Sequence, residues 1–268
     1  MNHRSSVVGR PSSNHMKQIP NLFTLLNLIF GCCAIVCTLQ NGIVLRSMGD
    51  EGQFIGLSEK LWMASLFIGL AAVTDFLDGF VARLFKATSE MGKQLDSLSD
   101  VVSFGVAPAM IIYQFLRMSF ASGEEGLDSS FPVLLPAFVI AAAAAYRLAR
   151  FNLDPSQSYG FKGVPVPAAG LLIASIPLIY WDNYDVSASL LLNKWFLYGL
   201  ILVISWLMIS KLPLMALKFT DYSVKNNLPK YLLLAFSVIA AFLLHWLAVP
   251  VIFIAYIILS LAFKNTTT

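Results

Sequence analysis

The sequence predicts an all-α membrane protein, a polytopic bundle of about eight transmembrane helices. Hydrophobic residues make up 57% of the chain and charged residues only 12%, which is about half the charged share of a soluble domain. Mean hydropathy is +0.73, and apolar runs of about 17 to 25 residues, the length needed to cross a bilayer, recur along the chain. Length alone would suggest one or two soluble domains, and these repeated runs exclude that interpretation.

The candidate spans are eight apolar runs, in chain order residues 19–39, 61–85, 95–115, 131–151, 164–184, 191–209, 231–246 and 247–263. The last two are short and meet near Trp246 and Pro250, so a single bent helix there, with seven spans in total, stays open. Residues 1–18 are polar and basic, which predicts a disordered cytoplasmic tail. We therefore divide the chain into this tail, a six-helix core over residues 19–219 and two C-terminal helices over residues 220–268.

The positions of the basic residues predict the orientation in the membrane. With eight spans and the N-terminal tail inside, 14 of the 18 Lys and Arg residues fall in cytoplasmic segments and 4 fall outside. The external loops are acidic instead, with Glu124, Glu125 and Asp128 in one of them. We expect a multi-pass protein of the cell (inner) membrane with both termini in the cytoplasm. Nothing in the sequence predicts a nucleic-acid partner.

Four aspartates stand out in this apolar chain. Asp75 and Asp78 are one turn apart on one helical face, and Asp96 and Asp100 share a face of the next helix. An ionised carboxylate is costly in a bilayer and persists there only when it is paired, hydrated or bound to metal. Two acidic faces joined by a short polar turn, residues 86–93, can meet in one oxygen-rich site. Hard divalent cations such as Mg²⁺ prefer that ligand set.

The spacing of this stretch can be written D-x2-D-G-x2-A-R-x8-G-x3-D-x3-D. It resembles the signature of the CDP-alcohol phosphotransferases at every specified position, here Asp75, Asp78, Gly79, Ala82, Arg83, Gly92, Asp96 and Asp100. The alternative is that the aspartates merely reach toward a membrane interface. A single interfacial aspartate is common in membrane proteins, but four aspartates on two facing helices are not, so we favour the metal site.

Further stretches resemble the membrane-integral phosphatidylserine synthases of that family. They are IPNLFTLLN (19–27), LDSLSDVVSFGVAPA (95–109), YRLARFN (146–152), FKGVPVPAAG (161–170) and ISKLPLMALKF (209–219). The resemblance implies transfer of the phosphatidyl group of CDP-diacylglycerol, a membrane lipid, to L-serine with release of CMP. Another acceptor, such as glycerol 3-phosphate or inositol phosphate, stays open. A transporter or membrane scaffold is the rival class, but a transporter predicts interrupted helices in symmetric halves, and the sequence shows no such symmetry.

The resemblance also implies roles for the four aspartates. Asp75, Asp78 and Asp96 are implied metal ligands for two ions of Mg²⁺ or Mn²⁺, which would clamp the pyrophosphate. Asp100 is implied as a fourth metal residue, near the second ion, and is also the candidate catalytic base for the serine hydroxyl.

A second set of residues is implied to bind CDP-diacylglycerol: Asn21, Thr24, Gly79, Ala82 and Arg83. Each has a structural alternative. The segment 20–24 could be only a helix start with Pro20 in its first turn, and Gly79 and Ala82 could serve helix packing. Arg83 could hydrogen-bond a phosphate or the cytosine carbonyl, or anchor the helix at the cytoplasmic interface.

Four residues at the end of span four and in the segment that follows it suggest a small anion pocket: Arg147, Arg150, Asn152 and Lys162. The two arginines lie at i and i+3, on one helical face. The anion could be the serine carboxylate or the lipid phosphate, and the sequence leaves that choice open. The resemblance further implies a homodimer, for which the alanine run at residues 141–145 is one candidate interface.

Overall fold

The computed structural model describes residues 19–47, 53–85, 89–121, 130–153, 161–182, 184–215 and 223–263. The predicted tail, residues 1–18, lies outside them. Within the described residues the chain is predominantly helical, so the predicted all-α class is confirmed. The division into a six-helix core and two C-terminal helices stays a prediction.

The helices follow the predicted apolar runs with shifts of a few residues at their ends. In chain order the α-helices of the described residues are α1 (Ile19–Gln40), α2 (Trp62–Leu84), α3 (Glu90–Asp100), α4 (Ala107–Ala121), α5 (Phe131–Leu134), α6 (Val139–Leu153), α7 (Val166–Asp182), α8 (Tyr184–Leu191), α9 (Lys194–Ile209), α10 (Val224–Leu244) and α11 (Ala248–Ala262). A π-helical turn, Val101–Val106, joins α3 to α4, and a 3₁₀ turn, Leu135–Phe138, joins α5 to α6.

Five helical segments are long and apolar enough to cross a membrane: Pro20–Gln40, Glu59–Leu84, Glu90–Ala121, Phe131–Leu153 and Asn227–Ala262. Two further apolar helices, α7 and α9, are shorter, with 17 and 16 residues. The predicted count of eight spans is therefore not confirmed. Large apolar side chains face outward along these helices, and Phe242 is 84% exposed. Such an outer surface suits a lipid environment.

The last apolar segment contains a break at His245. The backbone there has φ of 48°, in the left-handed region that residues other than glycine rarely adopt. α10 and α11 lie on either side of the break and pack against each other, and α11 also contacts α7. The break lies next to Trp246, where the sequence left the boundary open.

Two short antiparallel strand pairs interrupt the helical pattern, and neither was predicted from the sequence. β1 (Ile43–Ser47) pairs antiparallel with β2 (Gln53–Leu57) between α1 and α2. β3 (Phe161–Lys162) pairs antiparallel with β4 (Pro213–Leu214) and so ties the segment before α7 to the segment after α9. Strands of five and two residues are too short to give a clear alternating pattern in the sequence.

The polar turn predicted over residues 86–93 is shorter in the structure, because α3 already begins at Glu90. Ser89 is the N-cap, and its Oγ accepts a hydrogen bond from the amide of Gly92 at 3.0 Å. This bond satisfies one of the free amides at the start of the helix. Gly92 and Lys93 consequently lie on the helix that carries Asp96.

Glycines allow the helices around the aspartates to approach closely. A Cβ on Gly31 of α1 would lie 2.8 Å from the Cα of Ser103 in the π-helical turn, and a Cβ on Gly105 would lie 3.0 Å from the Cβ of Ala144 on α6. Ala144 is fully buried, so part of the alanine run, residues 141–145, packs within the chain. A homodimer through this run stays a prediction.

Ser89 and Ser130 flank the helical segment Glu90–Ala121, and both side chains are exposed. If this segment crosses the membrane in the predicted orientation, a cysteine at Ser89 should react with a membrane-impermeant maleimide only from the cytoplasmic side. A cysteine at Ser130 should react only from the outside.

The measurement compares intact cells with inverted vesicles, in a chain whose three native cysteines are replaced. Reversed labelling would contradict the orientation inferred from the basic residues. Labelling of both positions from the same side would contradict the crossing itself.

Candidate active site

Three carboxylates converge where the C-terminal half of α2 faces α3. Asp75, Asp78 and Asp96 each offer an oxygen atom, and these atoms all lie within 4.8 Å of one another. Asp75 and Asp78 are one turn apart on α2, and Asp96 comes from α3. The two acidic faces therefore meet in one cluster of oxygen ligands.

This carboxylate cluster fits a divalent cation. Its three side chains are buried or half-buried, and like charges so close together in an apolar setting repel one another. Asp96 Oδ1 is buried and has no hydrogen-bond partner among the described residues. An all-oxygen donor set with an unsatisfied carboxylate oxygen is the arrangement that a hard metal ion can complete.

α1 supplies a neutral donor to Asp78. The hydroxyl of Thr24, which is 3% exposed, donates to Asp78 Oδ2 at 2.8 Å. The main-chain carbonyl of Pro20 also lies 3.1 Å from the Thr24 hydroxyl. Thr24 is one of the residues that the sequence assigned to the nucleotide site, but its contact with Asp78 was not predicted.

Asp100 lies one turn beyond Asp96 and is 6% exposed. It interacts electrostatically with Asp75 and Asp96, but it lies outside the three-carboxylate cluster. Asn27 of α1 donates from Nδ2 to Asp100 Oδ1 at 3.1 Å. The sequence analysis missed Asn27, although its spacing of three from Thr24 would have placed both on one face of α1.

A cleft of about 480 Å³ opens beside the cluster, within the range of small-molecule sites. It lies between the first turns of α1, the end of α2 and the start of α3. Its lining residues are Pro20, Asn21, Thr24, Asp78, Gly79, Ala82, Ser89, Glu90, Gly92, Lys93 and Asp96. The lining thus includes four of the five residues assigned to CDP-diacylglycerol.

Gly79 leaves open space on the cleft side of α2. A Cβ at this position would meet only Arg83 Nη1, at 3.7 Å, so close helix packing does not explain the glycine. Ala82 is half-buried in the same wall. Arg83 is exposed and lies outside the cleft lining, although its guanidinium points toward Gly79.

Arg147 of α6 is a buried basic residue that interacts electrostatically with Asp100. It is 5% exposed, and its Nε has no hydrogen-bond partner among the described residues. Its Nη2 makes a long contact of 3.5 Å to the carbonyl of Gly163. Arg147 and Asp100 are close enough to interact electrostatically. A buried guanidinium with free donor capacity is suited to binding an anion.

The other three residues of the predicted anion pocket are placed differently. Arg150 donates to the carbonyls of Ile209 at 2.7 Å and Ser210 at 3.2 Å, so it caps the C-terminus of α9. Asn152 donates from Nδ2 to Ser97 Oγ at 2.8 Å and joins α6 to α3. The backbone of Lys162 lies in β3, and its side chain lies outside the described part of the structure.

Comparisons with known proteins agree on one family. The sequence profile of the CDP-alcohol phosphatidyltransferases matches residues 17–210. A Helicobacter pylori protein named CDP-diacylglycerol–serine O-phosphatidyltransferase is 34% identical over 214 residues, covering 79% of this chain and 78% of that protein. A Bacillus subtilis protein of the same name is 32% identical over 165 residues, covering 62% and 78%. A Mycobacterium tuberculosis protein of that name is 29% identical over 266 residues, covering 93% and 80%.

Removing one carboxylate should weaken divalent-cation binding. We expect Asp78→Asn to lower the affinity for Mn²⁺ by at least about tenfold, because even the loss of a residue that only supports a metal ligand costs 10–100-fold. The measurement is the rise in thermal unfolding temperature of the purified protein as Mn²⁺ is added, since a ligand that binds the folded state stabilises it.

Asp182→Asn is the matched control, because Asp182 ends α7 with its carboxylate 3.7 Å from His245 and belongs neither to the carboxylate cluster nor to the cleft lining. It should respond to Mn²⁺ as the unaltered protein does. Equal affinities of the two variants for Mn²⁺ would contradict a metal site at the carboxylate cluster.

Proposed function

Because the chain belongs to the CDP-alcohol phosphatidyltransferase family, we propose that it transfers the phosphatidyl group of CDP-diacylglycerol to the hydroxyl of L-serine. The products are phosphatidylserine and CMP. The observation that carries the proposal is the meeting of Asp75, Asp78 and Asp96 within 4.8 Å. The adjacent cleft is lined by further residues of the same motif, Gly79, Ala82 and Gly92. The shared name of the relatives supports serine as the acceptor.

The reaction is a displacement at the phosphorus atom that carries diacylglycerol. A bond forms between this phosphorus and the serine hydroxyl oxygen, and the bond to the oxygen shared with the CMP phosphate breaks. The electron pair of the broken bond leaves with CMP, and the serine hydroxyl loses its proton to a base. The chain must therefore bind a pyrophosphate, accept one proton and orient a small zwitterion.

Asp75, Asp78 and Asp96 would hold Mg²⁺ or Mn²⁺, the ions that a set of carboxylate oxygens prefers. When bound, two such ions neutralise the charge that develops on the pyrophosphate and the departing CMP. Thr24 contributes by donating to Asp78 Oδ2, which orients this carboxylate. The unsatisfied Asp96 Oδ1 supports its role as a ligand.

The cleft would bind the CDP portion of the lipid. Asn21 and Thr24 present polar groups from α1, and Gly79 and Ala82 leave room along α2. The open space at Gly79 supports close approach of the nucleotide to the helix. Arg83 is exposed at the cleft's edge, from where its long side chain can reach a phosphate or the cytosine carbonyl.

Asp100 would take the proton from the serine hydroxyl. It is 6% exposed and lies outside the three-carboxylate group, which supports a role as the base at a position near the second metal ion. A base that serves one substrate must lie within hydrogen-bond reach of the group it deprotonates. The acceptor therefore binds beside Asp100.

Arg147 would bind the serine carboxylate. Its buried guanidinium has an unused Nε donor, and its electrostatic interaction with Asp100 supports a shared acceptor pocket. Arg150 is engaged by the carbonyls at the end of α9, and Asn152 supports α3 through Ser97. Lys162 would add positive charge from the segment before α7.

The protein is integral to a membrane. We place its active site at the cytoplasmic face of the cell (inner) membrane, because the topology predicted from the sequence would put 14 of the 18 basic residues on that side. Residues 19–219 would form the catalytic core, and a second copy of the chain would complete a homodimer.

The acceptor is tested by supplying the purified protein with CDP-diacylglycerol, Mg²⁺ or Mn²⁺ and a panel of alcohols, and by measuring the release of CMP. L-serine should support a rate at least about tenfold above glycerol 3-phosphate and inositol phosphate, because a site that hydrogen-bonds one acceptor discriminates strongly against others. A chelator should abolish release. A different preferred alcohol would contradict serine as the acceptor, and no release with any alcohol would contradict a transferase.

The role of Arg147 is tested with Arg147→Met, which keeps much of the side-chain volume. The loss of a charged hydrogen bond costs about 1.5–3 kcal/mol, so the KM for serine should rise about 10- to 100-fold while the KM for CDP-diacylglycerol changes little. Arg150→Met is the control and should lower the thermal stability without changing the KM for serine. If Arg147→Met instead weakens only CDP-diacylglycerol, the guanidinium binds the lipid phosphate.

A further inference from the structure

Asn27 is a fully buried polar residue on α1 that none of the roles above includes. It is 0% exposed, and it lies outside the lining of the nucleotide cleft. Its Nδ2 donates to Asp100 Oδ1 at 3.1 Å. Asn27 is therefore the side chain from α1 that reaches the proposed base, as Thr24 is the one that reaches Asp78.

The orientation of the Asn27 amide follows from its partner. A reversed amide would place its own oxygen against a carboxylate oxygen, and two acceptors would then face each other without a proton. With Nδ2 on Asp100, the amide oxygen Oδ1 is buried without a partner among the described residues. A buried acceptor without a donor destabilises the fold, so stability alone does not account for an asparagine here.

The backbone of Asn27 is held by the same segment of chain. Ser103, three residues beyond Asp100, donates from Oγ to the main-chain carbonyl of Asn27 at 2.9 Å. Ser103 lies in the π-helical turn, a local geometry that is frequent at functional sites, and Gly31 leaves the space in which it packs against α1. Two hydrogen bonds thus fix Asp100 relative to the helix that also lines the cleft.

We propose that Asn27 is a positioning residue, which holds the carboxylate of Asp100 in the orientation that accepts the proton of the serine hydroxyl. The inference rests on the proposed role of Asp100 as the base. Asn27 acts through Asp100 and touches neither substrate. Its loss therefore affects the rate of the chemical step, whereas the loss of Thr24 affects the nucleotide site.

The test compares Asn27→Leu and Asn27→Ala with Thr24→Ala. Both changes at Asn27 should lower kcat by about 10- to 100-fold, because a small displacement of a reacting group has an effect of that order. The KM values for serine and CDP-diacylglycerol, and the Mn²⁺-dependent rise in unfolding temperature, should stay within about twofold of the unaltered protein. Thr24→Ala should instead raise the KM for CDP-diacylglycerol.

Thr38→Val is the matched control on the same helix. Thr38 is also 0% exposed, but its hydroxyl donates to the carbonyl of Ala34 within α1. This variant should keep the full kcat. If kcat stays normal in the Asn27 variants, or if Mn²⁺ binding, nucleotide affinity and stability fall together with it, the positioning role is wrong.

A double-variant comparison separates action through Asp100 from a general packing role. In an Asp100→Asn background, Asn27→Leu should lower the remaining turnover by less than about twofold, because residues that act as a unit are not additive. A further tenfold loss would overturn the proposal. If Asp100→Asn leaves no measurable turnover, the single Asn27 variants decide the question. A lower kcat with unchanged KM values supports the positioning role, and any other result contradicts it. Failure of the unaltered protein to use serine would instead contradict the proposed function.

Discussion

The burial of four carboxylates in an apolar helical chain is the constraint on which the rest of the structure depends. Such groups remain in a low-dielectric setting only when donors and cations compensate them. α1 supplies neutral donors from Thr24 and Asn27, and the three converging carboxylates form a set of oxygen ligands that fits a divalent ion. The helices that carry donors and acceptors must therefore keep fixed relative positions. The close contact of Gly31 with the π-helical turn fixes the position of α1, and therefore of Thr24 and Asn27, relative to the helix that carries Asp96 and Asp100.

The site has two ends with different surroundings, and these suit two different substrates. The cleft end is open, with polar groups from α1 and free space at Gly79, which fits a large nucleotide attached to a membrane lipid. The other end is buried, with Asn27 donating to Asp100 and Arg147 interacting electrostatically with Asp100, which fits a small acceptor that must lose a proton. The carboxylate cluster lies between them, where the phosphoryl group would be exchanged. A single arrangement of helices can thus bind the lipid and the acceptor from different directions.

Arg147 and Arg150 show how far a local pattern can be interpreted. They lie three residues apart on α6, and the sequence grouped them as one anion pocket. In the structure Arg150 donates to a carbonyl 59 residues away, at the end of α9, whereas Arg147 keeps an unused buried donor. Spacing along one helix reports which residues share a face, but it does not report what faces them. The roles of Arg147 and Arg150 could be distinguished only from the contact between α6 and the end of α9.

The sequence by itself determined the membrane class, the approximate helices, the family and the pairing of aspartates on two helical faces. These features depend on composition and on residues three or four positions apart, which local periodicity encodes. The tertiary structure alone decided that Asn27 reaches Asp100, that Arg150 caps another helix, and that two short strand pairs join segments between the helices. Asn27 and Asp100 are 73 positions apart, and contacts over such distances depend on how whole helices pack. That packing is set by close approaches at a few small residues, which no local pattern reveals.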